Sequence, residues 1–202
     1  NGLLSGLMSP ARQWFSLATL NPDLMESQAV KVWLATVETL MRSIFNESNL
    51  YNMAPSMLGE TVVFGTGCMT QLDDFEDVSR FYTHTVGSYM IAQSARYEVN
   101  VLAREFTNTT EQMIQEYGLK NVSTQVRNAY DKGDYDTWFP ITQLIEPNPE
   151  ADPNKLEARF KPFRSTTFQP GERHSNDKFL RKSGFEEFPA YVPRWATTGE
   201  DV

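Results

Sequence analysis

The sequence predicts an α+β fold, with long amphipathic helices packed on a mainly antiparallel, meander-type sheet. Three observations lead there. Apolar residues recur at helical spacing through residues 27–49. Two later segments open on residues that cap helices. Short segments rich in β-branched and aromatic residues, separated by turn residues, occupy much of the rest. With 202 residues, 40% of them hydrophobic and 22% charged, the chain can bury a real core without disulfides or metals. That composition excludes collagen, a coiled-coil rod and a disordered tail. One domain over residues 1–202 is the expected organisation.

Taken in order, the apolar residues before Pro10 read as the close of a helix begun upstream, because the residue before proline is biased away from helix. Residues 13–20 read as extended. In residues 27–49, Val30, Trp33, Leu34, Val37, Leu40, Met41, Ile44 and Phe45 fill an arc of about 140° at ~100° per residue. This predicts a core-facing helix with Ser27 as N-cap and Lys31, Glu38 and Arg42 outside the arc. A second helix over 49–61 follows, with Pro55 giving a kink or a late start. A strand begins near Gly67. Strands at 68–72 and 78–82 flank an acidic turn, and strands at 89–93 and 98–106 flank a turn at 94–96, as in a β-meander. Thr109 to Gln112 forms a capping box for a helix that ends at Gly118, and Ser123 caps another that ends before Gly133. Residues 138–145, 159–168, 178–188 and 190–195 read as further strands, with a proline-rich loop at 147–153. No internal repeat or low-complexity tract is visible.

The charge is uneven. There are 18 Lys and Arg against 26 Asp and Glu, a net charge of -8. Residues 1–150 hold 9 basic and 18 acidic residues, whereas residues 151–202 hold 9 and 8. A global nucleic-acid surface does not fit this balance, although a local one in the last quarter does. The single cysteine, Cys68, excludes an intrachain disulfide framework and a cysteine zinc cluster, and fits a reducing compartment. No run is long and apolar enough for a membrane helix, and no secretory leader opens the chain. The first residue, Asn1, reads as the start of a processed, trimmed or excised chain.

Four features invite chemistry, and each has a structural reading. Asp73, Asp74, Glu76 and Asp77 form the densest acidic cluster, but they lack the alternating oxygens and central glycine of a calcium loop. A solvated hairpin turn is the expectation. His84 and His174 have no metal-ligand spacing, and no serine lies in a nucleophile elbow. Cys68 reads as a buried small hydrophobe. Gly65-Thr66-Gly67 lacks the remaining elements of a dinucleotide or phosphate loop and marks close backbone packing. Residues 155–182 carry 8 Lys and Arg against three acids, interleaved with Phe160, Phe163, Phe168 and Phe179. Lys161, Arg164, Arg173, Lys178, Arg181 and Lys182 are therefore the candidate nucleic-acid contacts; strands with basic outward faces are the structural alternative. Sequons at Asn46, Asn108 and Asn121 carry no meaning without a secretory leader. No catalytic, metal or cofactor site is expected.

Ten strings, in order, resemble the head-to-tail connecting (portal) proteins of short-tailed bacteriophages and their prophages. They are SPARQWF (9–15), SNLY (48–51), FGTGCM (64–69), DFEDV (74–78), GSYMIA (87–92), REF (104–106), EYGLKNVS (116–123), KPFRS (161–165), FLRKSGFEEFPAYVPRW (179–195) and TGEDV (198–202). The resemblance implies a structural protein, not an enzyme. It implies a homo-oligomeric ring, commonly dodecameric, at one capsid vertex of the virion, assembled in the host cytoplasm. Such a ring nucleates head assembly with scaffold and capsid proteins, docks the packaging ATPase (terminase), passes double-stranded DNA and holds tail adaptors. Within such a subunit this chain is similar to most of the wing, with the stem and clip expected after residue 202 and the crown also elsewhere.

Two other functions compete. One is a nucleic-acid-binding module built on residues 155–182. The other is a metal-dependent hydrolase using Asp73, Asp74, Asp77 and His84.

Overall fold

A computed structural model describes residues 2–171 and 179–196. The helices are α1 (Gly2–Leu7), α2 (Pro22–Glu26), α3 (Gln28–Glu47), α4 (Leu50–Phe64), α5 (Thr110–Tyr117) and α6 (Thr124–Asp131). The strands are β1 (Cys68–Asp74), β2 (Val78–His84), β3 (Tyr89–Gln93), β4 (Val99–Thr109), β5 (Trp138–Pro147), β6 (Phe163–Phe168), β7 (Arg181–Phe185) and β8 (Ala190–Tyr191). This is the α+β class that the sequence predicts. The chain divides into two compact units, one of residues 1–86 with 190–197 and the other of residues 87–189 with 198–202.

The first unit sets α4 against a three-stranded sheet in the order β2-β1-β8. Its core joins Leu50 and Met57 of α4 to Met69 of β1 and Phe81 of β2, with Met8, Phe45, Met53 and Leu58 around them. α4 is continuous from its start at Leu50 through Pro55 to Phe64. Helix survives there because the missing N–H of Pro55 deprives only one carbonyl, near the helix start. Gly65 ends α4 in the left-handed region at φ 77°. Gly67 then passes so close to the helix that an added Cβ would lie 2.6 Å from Thr61 Oγ1 and 2.8 Å from the Met57 carbonyl oxygen. Gly67 is thus the close-packing glycine expected, whereas Gly65, with nothing within 4 Å of an added Cβ, serves the turn.

Asn49 decides where this sheet ends. It holds the N-cap position of α4 yet makes no side-chain cap. Its amide instead donates to the Phe81 carbonyl and accepts from the Phe81 N–H, both at 2.8 Å. The side chain occupies the outer edge of β2 as another strand would. β2 and β3 do not pair, and the strands form two sheets where the sequence suggested one meander.

The second unit is a five-stranded antiparallel meander, β3-β4-β5-β6-β7. Registers such as Leu102 with Ile145 and Phe106 with Ile141 put alternate residues on one face. That face carries the buried Leu102, Ile141, Ile145, Ser165 and Thr167. α5 and α6 cover its Ile141 end, packing Met113, Tyr117, Val122 and Val126 beside Leu180. The predicted capping box is present, with Thr109 accepting from the Gln112 N–H and Gln112 accepting from the Thr109 N–H. Gly118 follows α5 at φ 78°. Ser123 caps α6 by accepting from the Val126 N–H.

Other expectations are corrected locally. α2 was not anticipated; Asn21 caps it, with Pro22 in its first turn. Ser27 has the extended backbone of an N-cap for α3 but makes no side-chain cap. Segment 159–168 breaks into a 3-10 turn (Ala158–Phe160) and β6. Pro162 intervenes, and Asn148 ties the turn down by donating to the Arg159 and Lys161 carbonyls at 2.8 Å each. Segment 190–195 keeps only two paired residues and a bridge from Arg194 to Thr66, since Pro193 has no N–H for a ladder.

The two glycines on either side of this packing contact make a clean comparison. Gly67→Ala is expected to destabilise the protein by about 1–3 kcal/mol through forced overlap with α4. Gly59→Ala, exposed in the α4 interior with nothing within 4 Å of the new Cβ, is expected to stabilise it by about 0.5–1 kcal/mol. Chemical denaturation of the two variants measures both, and equal effects would refute the close-approach role of Gly67.

Candidate functional site

The acidic cluster sits on the hairpin turn between β1 and β2, as the sequence suggests. Asp74 Oδ1 accepts the Glu76 N–H at 2.8 Å and the Asp77 N–H at 3.0 Å. These bonds, that from Asp77 foremost, hold the Asp74 carboxyl below its usual range. Asp77 pairs with Arg80 at 3.3 Å. The carboxylates thus close a turn. His84 lies at the opposite end of the hairpin, opposite Cys68 in the ladder. Six strand residues, or about 20 Å, separate it from the turn, so a hydrolytic centre of Asp73, Asp74, Asp77 and His84 is not assembled.

His84 and Cys68 are both buried. The His84 Nε2 lies 3.0 Å from Thr70 Oγ1. This pairing satisfies a buried imidazole inside the sheet. Among the described residues no group of three or more His, Cys, Asp or Glu is placed to hold a metal ion. His174 lies outside the described residues. No described helix is long and apolar enough to cross a membrane.

The basic segment is spread over several surfaces. Arg164 directs Nε and Nη2 to Glu146 Oε1 at 2.8 and 2.7 Å. Arg181 donates to the Glu116 carbonyl at 3.0 Å and pairs with its carboxylate at 3.4 Å. Lys161 pairs with Glu186, and Lys182 lies over the Phe179 ring at 4.2 Å. The register places Arg164 and Lys182 on one face of the sheet and Arg181 on the other. Of the interleaved rings, Phe160 is covered by Lys155 and Arg159 at 4.1 and 4.4 Å, and Phe163 packs on Phe188 at 5.5 Å. Arg173 and Lys178 lie outside the described residues.

One surface escaped the sequence reading. The arc of α3 assigned to the core is only partly covered. Leu34 is buried, but Trp33 is 63% exposed and Leu40 59%, and Val32, beside the arc, is 56% exposed. With Ala29 and Thr36 they form an uncharged stripe at spacings of three and four, about 16 Å long at 1.5 Å per residue. Glu38, placed outside the arc, instead grips the incoming chain: it accepts from Gln13 Nε2 at 2.9 Å and from the Leu17 N–H at 2.5 Å. Periodicity identifies an apolar face but not how much of it a neighbour covers.

The family model described as "Bacteriophage head to tail connecting protein" matches residues 1–202. The chain is 45% identical over 202 residues to a "Portal protein" of Salmonella phage epsilon15, covering 100% of this chain and 36% of that protein. It is 41% identical over 201 residues to a "Probable portal protein" of Bordetella phage BPP-1, again covering 36% of the relative. The chain therefore spans just over a third of the length of the curated relatives it matches.

The second unit has a pH signature of its own. Burial, aided by the Glu116 charge, pushes the Tyr117 phenol from 10.0 up to about 12, against an opposing pull from Arg181. A pKa raised on folding means that the neutral phenol stabilises the fold. This contribution is complete below pH 10 and lost as pH rises from 10 to 12. Unfolding midpoints should fall across that window, and Tyr117→Phe should flatten the fall. An unchanged pH profile in the variant would refute the assignment.

Proposed function

From the chain's membership of the bacteriophage head-to-tail connecting protein family, we propose that it is the wing-like part of a portal subunit. In this reading the complete protein assembles as a ring at one capsid vertex of the virion, having formed in the host cytoplasm. The ring contacts scaffold and capsid proteins, engages the packaging ATPase, passes double-stranded DNA and holds tail adaptors. The role is structural. The observation that carries the reading is family similarity along all of the chain, at 45% and 41% identity to two proteins with portal names.

Physical features support it. A ring subunit must leave apolar surface for its neighbours. The α3 stripe of Ala29, Val32, Trp33, Thr36 and Leu40 does so, without a Lys or Arg among its members. The excess of acid over base in residues 1–150 would also let a passing duplex slide without adhering.

The test extends the chain to the full length of its relatives and images it by electron microscopy. Rings with a central hole are expected, and their absence together with a monomeric mass would overturn the reading. Trp33→Asp combined with Leu40→Asp should reduce the ring fraction while leaving helicity unchanged, since both side chains already face solvent. The 202-residue chain itself should bind duplex DNA weakly at physiological salt. Tight, salt-dependent binding abolished by Lys182→Glu would instead favour the nucleic-acid module. Lys182 suits this test because reversal at Arg164 would set two like charges against each other at Glu146.

A further inference from the structure

The second unit holds a groove of about 270 Å³ lined by Glu111, Ile114, Gln115, Tyr130 and Tyr135. Glu111, Ile114 and Gln115 share one face of α5 at i, i+3 and i+4. The opposite wall is built by the turn after α6. Gly133 adopts φ 76°, with its N–H donating to the Tyr130 carbonyl at 3.0 Å, and the Asp134 N–H donates to Ala129 at 2.9 Å. The returning chain is fastened to the start of α5. The Glu111 N–H donates to the Tyr135 carbonyl at 3.3 Å, and the Thr110 N–H to the Thr137 carbonyl at 2.9 Å. Tyr135 is thereby held edge-on to Tyr130, with ring centroids 5.4 Å apart at 70°. Backbone contacts fix both walls, so the groove is preformed.

Its chemistry selects a cation. Two tyrosine rings offer electron-rich faces, Ile114 offers an apolar patch, and Glu111 offers a carboxylate. Gln115 Nε2 donates to Glu111 Oε1 at 3.2 Å, which leaves Oε2 for a ligand. Among the described residues no Lys or Arg lines the groove. The adjoining turn adds Asp131, Asp134 and Asp136, all exposed, against Lys132 alone. An anion would be repelled, and a neutral ligand would leave the carboxylate desolvated and unpaired. The volume is below the roughly 300–1,000 Å³ of small-molecule sites, and suits one extended side chain. A guanidinium fits best: it stacks on a ring, forks onto a carboxylate and lays its methylenes on an apolar patch.

We propose that this groove docks a single exposed arginine from a basic segment of a partner protein. Charge complementarity argues for a basic partner, because Glu111 and the adjoining Asp131, Asp134 and Asp136 stand against Lys132 alone. The described arginines of the chain's own basic run are also already engaged: Arg159 by Glu157, Arg164 by Glu146 and Arg181 by Glu116. The assignment does not depend on ring formation.

The probe is the blocked peptide acetyl-Gly-Arg-Gly-amide, titrated into the 202-residue chain and followed by the Ile114 methyl and Tyr135 ring resonances. Saturable shifts at both are expected. The citrulline peptide, an uncharged isostere, should bind about tenfold more weakly, as loss of the ring and carboxylate contacts to a cation implies. Glu111→Gln and Tyr135→Leu should each weaken the arginine peptide by a few-fold. Equal affinity for the citrulline peptide, shifts centred elsewhere, or no Ile114 shift up to the peptide's solubility limit would each overturn the assignment. Self-association of the chain that Glu111→Gln abolishes would make a second copy the occupant and overturn the foreign partner.

Discussion

Both units depend on one constraint: an antiparallel sheet with a single apolar face must be covered by a helix joined closely in sequence. In the first unit the helix precedes the sheet. α4 turns through Gly65 and Gly67 into β1, and Met57 meets Met69 and Phe81 only because position 67 has no side chain. In the second unit the helix follows the sheet. β4 ends at Thr109, whose side chain at once caps α5 and sends Met113 and Tyr117 back over Ile141. Short connections keep the loop-closure cost of each arrangement low.

Polar side chains then decide where the sheets stop and how loops are held. Asn49 terminates the β2 edge by matching the backbone of Phe81 with one amide. Asn148 does comparable work in the loop before β6, donating twice to carbonyls while its own N–H donates to the Pro162 carbonyl. Carboxylates serve the same end. Asp74 closes a hairpin, and Glu38 fastens residues 13–17 along α3. Groups that resemble catalytic parts in a linear reading are thus occupied as fasteners.

What remains at the surface is therefore informative. The α3 stripe and the tyrosine-lined groove differ in character, one uncharged and extended, the other acidic and sized for a single side chain. Burial of Trp33 and Leu40 against another polypeptide would draw on the hydrophobic effect, whereas the groove would act through cation–π and charge contacts that discriminate among partners.

Much of this was legible in the sequence because it is local. The capping box at Thr109, the Ser123 cap, the strand over 89–93 and the helix end at Gly118 rest on residues within a few positions of one another. The acidic turn and the tight glycine pair were readable for the same reason. The family resemblance was readable too, through the order of its motifs. Tertiary structure alone decided the rest: that Asn49 would pair with the backbone of Phe81, 32 residues away; that the strands would form two sheets; that Arg164 and Arg181 would find carboxylates on other elements; that Trp33 would face outward; and that Tyr130 and Tyr135 would frame a groove with α5. Periodicity states which side chains share a face. Only the positions of the other elements determine whether anything lies opposite them.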